Sequence, residues 1–254
     1  MKPFRTILTG VVLLFVACQT PDKSEEIVSS TVEDTAQNIP EALRKVLQAH
    51  GSLRQWRKMQ ALYFEIVKDP QNEKHIVQLQ DRLDRVEGSN FIMGYNGQEV
   101  WMEADTTYKG NAEFYHNLMF YFYAMPFVLA DPGINYRQAE PLMAEGKQYP
   151  GIAVAYDDGI GTSPKDEYLL YYHPETFEMA WLGYTATYFS NERSTNFNWI
   201  SYSGWDTING LKLPTKLTWY NHEDGAPTEA RNTVQFVNIS ISDEAPEANL
   251  FAGP

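Results

Sequence analysis

The side chains that could carry out catalysis are spread over the whole sequence of 254 residues. No HExxH, GxSxG or GxxxxGK[ST] pattern occurs, so the chain lacks the signatures of a zinc protease, an α/β-hydrolase and a P-loop. His222 stands beside Glu223 and Asp224, but a lone histidine in an acidic loop is typical of a solvated turn. The five histidines fall in five different segments: His50, His75, His116, His173 and His222. We therefore expect no metal and no cofactor, and the sequence favours a protein without catalytic activity.

A pair of carboxylates for glycoside hydrolysis has no fixed sequence spacing, because only the distance between the two groups in space matters. With 33 acidic residues, the sequence selects no particular pair. Five tryptophans could stack on sugar rings: Trp101, Trp181, Trp199, Trp205 and Trp219. A surface lipoprotein that binds or cleaves glycans through aromatic side chains and carboxylates therefore stays open as an alternative function.

The only cysteine, Cys18, follows a segment typical of a signal peptide. Lys2 and Arg5 are followed by the apolar stretch ILTGVVLLFVA. The residues FVAC resemble the bacterial lipobox, whose cysteine is acylated and becomes the first residue of the mature protein. This resemblance implies a signal peptide over residues 1–17 and a lipid on Cys18. An ordinary signal peptide with an incidental cysteine, or a short membrane anchor, are the alternatives.

The residues after Cys18, QTPDKSEEIVSSTVEDTAQN, are polar and acidic, which predicts a flexible tether over residues 18–38 and a folded domain over residues 39–254. Loss of residues 1–17 removes two basic residues and no acid, so the formal charge of −13 becomes −15. This charge argues against binding to nucleic acid or to an anionic lipid surface. We expect a monomer held to the cell envelope by the lipid. Gln19, by resemblance to known sorting rules, favours the outer membrane.

The spacing of apolar residues predicts one helix and then many strands. IPEALRKVLQAHG reads as a helix that ends at Gly51, where His50 can bond the last carbonyls. From residue 60 the apolar period is two, and Asn96-Gly97 and Asn209-Gly210 are hairpin turns. The predicted strands are ALYFEIVKD (61–69), KHIVQLQDRLDRVEG (74–88), a hairpin over 90–105, GIAVAYDD, DEYLLYY, FEMAWLGYTA, FNWISYSGWDTI, KLPTKLTWY and NTVQFVNISIS. The tail DEAPEANLFAGP is expected to be irregular, and no linker interrupts residues 39–242.

The hairpin YLLYYHPETFEMAWLGY is apolar on both faces, so a second layer must cover it: another sheet, a helix or a ligand. The segment NLMFYFYAMPFVLADPG interrupts the strands and reads as a helix from residue 111 to 125 that is apolar nearly all round. Such a helix either plugs a curved sheet or lines a groove for an acyl chain. The candidate ligand-binding residues are Phe114, Leu118, Tyr121, Phe122, Met125 and Phe127.

These features together resemble the lipoprotein-carrier superfamily (LolA/LolB-like). The resemblance rests on the lipobox, the NGQEVW hairpin, the YYHPETFEMAWL hairpin and the closing NGLKLPTKLTWY pair. Within that superfamily the chain is similar to bacterial lipoproteins that carry a segment like FYFYAMPFVLADPG. The resemblance implies a mainly β fold with a few helices: a single curved antiparallel sheet, or incomplete β-barrel, with helices against its concave face. It also implies an envelope protein that binds hydrophobic or acylated cargo, a lipid or a lipoprotein.

Overall fold

The structure, a computed structural model, describes residues 39–157, 163 and 165–253. The signal peptide (residues 1–17), Cys18 and the tether (residues 18–38) lie outside these ranges, so the three interpretations stay predictions. In the part of the chain that is described, no helix has both the length and the apolar character to cross a membrane.

A sheet of twelve antiparallel strands forms the body of the protein. The strands are β1 Ala61–Ile66, β2 Glu73–Gln78, β3 Asp84–Glu87, β4 Phe91–Tyr95, β5 Val100–Ala104, β6 Ile134–Ala144, β7 Lys147–Tyr156, β8 Glu167–Tyr172, β9 Met179–Tyr184, β10 Asn198–Ile208, β11 Leu211–Glu223 and β12 Ala226–Ser242. Sheet neighbours are consecutive in sequence except for β1, which pairs with β12. Among the described residues β5 and β6 form two edges, so the sheet is open. The expected fold class is confirmed.

The sheet curves around one hydrophobic core. Val77 of β2 and Val154 of β7 are far apart in strand order, yet both belong to the same cluster of buried side chains. The segment between β5 and β6 lies on this concave face, and its Phe120, Tyr123 and Phe127 are at most 1% exposed. Each such side chain stabilises the fold by about 1.5–3 kcal/mol on burial. The apolar segment that interrupts the strands therefore contributes buried side chains to this core.

The helix predicted over residues 111–125 is two shorter helices, α3 Ala112–Tyr115 and α4 Leu118–Tyr123. A 3-10 helix, Phe127–Ala130, follows. At the break, Nδ1 of His116 lies 2.6 Å from Oδ2 of Asp84 on β3, which ties the end of α3 to the sheet. Asn117 leaves helical geometry, with φ −112° and ψ 0°, and α4 begins after it. The single-helix expectation was wrong because it ignored this bond to the sheet.

Two helices precede the sheet, α1 Glu41–Ala49 and α2 Leu53–Lys58. Nδ1 of His50 is 2.8 Å from the carbonyl oxygen of Val46, which confirms the expected role of His50 at the end of α1. Gly51 has φ +104°, and a Cβ there would lie 2.0 Å from the carbonyl oxygen of Gly210. Only glycine fits this close approach, which docks α1 on the β10–β11 turn.

Two strand expectations and the expectation for the tail were incomplete. Residues 74–88 form two strands with a turn between them, where Arg82 has φ +60°. The strand β6 was missed, because it carries Pro141 and an irregular apolar pattern that an edge strand tolerates. The tail contains a 3-10 helix, Ala248–Phe251, whose Phe251 is 1% exposed.

Candidate functional site

A cavity of about 330 Å³ lies between the helical segment and strands β7, β8 and β9. Its helical wall contains Asn117 and five apolar or aromatic side chains: Phe114, Leu118, Tyr121, Phe122 and Met125. Three tyrosines form the wall on the sheet: Tyr156, Tyr168 and Tyr184. The volume is at the lower end of the range of ligand pockets, roughly 300–1,000 Å³.

Five of the six candidate residues from the sequence line this cavity, and Phe127 does not. Phe127 is fully buried, and its ring is stacked on Trp56 with the centroids 4.7 Å apart and an angle of 3° between the planes. It holds the 3-10 helix against α2 instead of facing the cavity. Within the segment, Phe127 plugs the core, while residues 114–125 contribute the cavity wall. That this cavity accepts an acyl chain stays a prediction.

The tyrosines of the sheet wall reach the cavity through the alternation of side chains along the strands. Tyr168 on β8 lies opposite Tyr184 on β9 in the strand register, and both pack against the concave core. The Nε1 of Trp219 donates to the Tyr184 hydroxyl at 3.1 Å. The sequence carried one signal for this wall, because the β8–β9 hairpin is apolar on both faces and needs a second layer. It did not single out the tyrosines.

Three hydroxyl groups in the wall have no hydrogen-bond partner among the described residues. They belong to Tyr121, Tyr156 and Tyr168, all of which line the cavity. The rings of Tyr156 and Tyr168 meet edge to face, 6.0 Å between centroids. Burial raises the pKa of all three hydroxyls, so each stays protonated at neutral pH and can donate as well as accept. The three side chains are half-buried, so water or a bound molecule in the cavity can pair with their hydroxyls.

Two carboxylates also line the cavity, Asp131 and Asp166. Oδ2 of Asp131 accepts from Nη2 of Arg82 at 2.8 Å, and Oδ1 of Asp166 accepts from the Thr187 backbone N–H at 2.7 Å. Burial raises the pKa of both carboxyls, although the bonds to Arg82 and Thr187 partly oppose it. Among the described residues that line the cavity, none is basic. Neither acid was foreseen from the sequence, because nothing in their spacing distinguishes them from the other acidic residues.

The edge of the cavity is aromatic. Phe114 lies 5.1 Å from both Tyr188 and Phe189, measured between ring centroids, and those two rings are 4.9 Å apart. Phe114 and Tyr188 line the cavity, while Phe189 is 75% exposed. We call these three side chains the aromatic rim. A large exposed aromatic beside an apolar cavity is suited to contact with an apolar ligand as it enters.

A buried charge network holds α3 on the sheet. Glu73 is 2% exposed and binds three groups: Nζ of Lys68 at 2.6 Å, Nε2 of His75 at 2.9 Å and the hydroxyl of Tyr115 at 2.6 Å. Burial alone would raise the pKa of Glu73, but the bonds from these partners outweigh burial and hold it at about 2. Within the described residues, no three His, Cys, Asp or Glu side chains are arranged to hold a metal ion. The network is an anchor for the wall of the cavity.

The tryptophans do not form a sugar-binding platform. Trp181 and Trp199 are each 2% exposed and belong to a second cluster of buried side chains, on the other face of the sheet from the cavity. Trp219 is 9% exposed, and its Nε1 donates a hydrogen bond to the Tyr184 hydroxyl. Trp101 donates to the carbonyl oxygen of Phe251 at 2.9 Å. These positions do not favour the alternative function in glycan binding.

Comparison with solved structures found proteins of similar fold. A DUF1329 family protein from Desulfovibrio piger is 12% identical, with 81% of this chain and 97% of that chain covered and a TM-score of 0.47. A LolA superfamily protein from Nitrosomonas europaea is 8% identical, with 82% and 96% covered and a TM-score of 0.43. At these identities and scores, nothing about ligand or activity passes from those proteins to this chain. Comparison with the curated proteins gave no match.

A family model matches residues 89–227, which is more than half of the chain. The matched region contains strands β4 to β11 and every side chain named above as lining the cavity. The model is described as a family of unknown function, DUF6503, and this chain belongs to that family.

Proposed function

We propose that this protein is an envelope lipoprotein that binds hydrophobic or acylated cargo in the cavity between the helical segment and strands β7 to β9, without catalysing a reaction. The observation that carries the proposal is the cavity itself, whose walls are mostly aromatic and apolar although the chain as a whole is acidic. The sequence resemblance to lipoprotein carriers favours an acyl chain as the bound part. A lipid on Cys18 would keep the domain near the membrane from which such cargo comes.

Apolar ligand binding fits the packing around the cavity. Phe122 and Met125 belong to the hydrophobic core and also line the cavity, so a chain bound there would extend a core that already exists. Burial of each CH₂ of such a chain contributes about 0.8 kcal/mol. Met and aromatic side chains suit this use, because Met adapts its shape and aromatic rings offer large apolar faces.

The proposal can be tested with a substitution that fills the cavity at a half-buried residue of its wall. Leu118 is half-buried at the cavity wall, and Leu118→Trp adds an indole to the space that a ligand would occupy. We expect this variant to bind a fluorescent apolar probe, such as N-phenyl-1-naphthylamine, at least about 10-fold more weakly than the parent, a change of about 1.4 kcal/mol.

Met143→Trp is the matched control, since Met143 is 58% exposed on β6 and lines no part of the cavity. We expect this control to bind the probe as the parent does. Native mass spectrometry of the gently purified protein should also show co-purified lipid. A parent protein that neither binds the probe nor carries lipid would refute the proposed function.

A further inference from the structure

The polar groups of the cavity bear on which head group a bound acyl chain can carry. An acyl chain reaches a protein in several chemical forms, among them the free fatty acid, which is an anion at neutral pH, and uncharged esters or amides. The apolar walls do not discriminate between these forms. The carboxylates Asp131 and Asp166 and the unpartnered hydroxyls of Tyr121, Tyr156 and Tyr168 do.

The two carboxylates line the same cavity as the tyrosine hydroxyls. The charge of Asp131 adds to burial in raising the pKa of Tyr156, and the charge of Asp166 does the same for Tyr168. A ligand head group that bonds these hydroxyls therefore lies in the field of at least one carboxylate. For an anionic head group that field is repulsive, and the repulsion is stronger in a partly buried site than in water.

The charge of Arg82 opposes that of Asp131 at the Tyr121 and Tyr156 hydroxyls. Asp166 is therefore the carboxylate whose repulsion is not offset. Nη2 of Arg82 is already bonded to Asp131, and Arg82 is not part of the cavity wall. Its Nη1 is shielded from solvent and has no hydrogen-bond partner among the described residues. The Lys165 ammonium next to Asp166 donates to the carbonyl oxygen of Asn191. Among the described residues that line the cavity, the carboxylate without an ion-pair partner is thus Asp166.

We infer that the cavity selects an acyl chain with an uncharged, hydroxyl- or amide-bearing head group and discriminates against the free fatty acid. The carboxylates accept hydrogen bonds from such a head group, and the tyrosine hydroxyls bond its ester or amide oxygen. This inference rests on the proposed function and adds the chemical class of the ligand. It also accounts for polar groups that an entirely apolar cargo would leave unpartnered.

The test compares three ligands that share one lauroyl chain, each used to displace N-phenyl-1-naphthylamine from the full-length protein at pH 8. Monolaurin is uncharged with hydroxyl groups, methyl laurate is uncharged without them, and laurate is an anion. We expect monolaurin to bind most tightly, methyl laurate next, and laurate about 10-fold or more weaker than monolaurin. Laurate that binds as tightly as monolaurin would overturn the inference and leave the proposed function standing. A protein that fails to bind the probe at all would refute both.

Two variants test the assigned groups. Asp166→Asn keeps an oxygen to accept from the Thr187 N–H while removing the charge, so laurate should bind about 10-fold more tightly and methyl laurate as before. Asp243→Asn, an exposed site on the loop after β12, makes the same charge change and should alter neither affinity. Tyr168→Phe should weaken monolaurin and methyl laurate alike, by about 5-fold, because both carry the ester oxygen that the hydroxyl bonds. Equal effects of Asp166→Asn and Asp243→Asn on laurate would contradict the assigned role of Asp166.

Discussion

At Cys18 a single sulfur atom is predicted to determine where the protein resides. Cys18→Ser removes the only thiol in the chain, and with it the atom to which acyl groups would be attached. We expect the variant to appear in the soluble fraction and to take up no labelled palmitate analogue, as measured by fractionation and metabolic labelling. Thr20→Ser keeps the cysteine and should behave as the parent. A parent protein that is membrane-bound but unlabelled would contradict the lipoprotein interpretation.

His50 is expected to make the stability depend on pH. The side chain is fully buried, Nε2 has no partner among the described residues, and burial lowers the pKa of His50 from 6.5 to about 4. The unfolded chain therefore binds a proton at a higher pH than the folded chain does. Stability contributed by neutral His50 is complete above about pH 6.5 and falls by about 3 kcal/mol as the pH drops to about 4.

The measurement is the free energy of unfolding by urea between pH 7 and pH 4. We expect His50→Phe to flatten this dependence relative to the parent, even if the variant is less stable at pH 7. His222→Gln, at an exposed residue of β11, should leave the dependence unchanged. The idea fails if the parent and His50→Phe lose stability in parallel over this range.

At the scale of elements, the helical segment offers two phenylalanines for a matched comparison. Phe127 is fully buried and stacked on Trp56, so Phe127→Ala should cost about 3–5 kcal/mol of stability. Phe122 is 7% exposed and borders a cavity that already exists, so Phe122→Ala should cost clearly less and should weaken ligand binding more. Urea unfolding and probe titration measure the two effects. Equal losses of stability without a change in binding would mean that the segment is only a plug.

Many of the strands and turns were predictable from local sequence, because apolar and polar residues alternate along a strand and an Asn-Gly pair favours a hairpin turn. The β10–β11 turn at Asn209-Gly210 is an example, with φ of 48° and 76° at its two residues. The break between α3 and α4 was not predictable, since it depends on a bond between His116 and Asp84, 32 residues apart. Local periodicity carries no information about such a partner.

The candidate site was predictable on one wall only. The helical wall could be read from an unusual density of apolar residues in an acidic chain. The facing wall depends on which strands curve over that segment, and β7 to β9 could not be assigned to it before the sheet order was known. Tyr156, Tyr168 and Asp166 look in the sequence like ordinary strand and loop residues. Their importance arises from three-dimensional proximity.

For the whole molecule, the sequence predicts that the tether is the first target of a protease. Residues 19–38 are acidic and contain no aromatic residue, so they cannot offset their ordering entropy by burial. Limited proteolysis with proteinase K should first remove this stretch and leave a fragment that starts near residue 39 and resists further cleavage. Mass spectrometry identifies the fragment. Early cleavage at one site between residues 60 and 241 would instead indicate two separable domains.

The pairing of β1 with β12 also bears on how the protein is made. Ile66 pairs with Phe236, and Leu62 with Ile241, across almost the full length of the folded domain. Within β1 to β5 and within β6 to β12, each strand pairs with its neighbours in sequence, but the two groups meet only when the last strand is present. Sheets dominated by such non-local pairs fold slowly. During synthesis β1 therefore lacks its second neighbour until residues 226–242 have been made, so we expect the newly made protein to be prone to aggregation for longer than its size alone would predict.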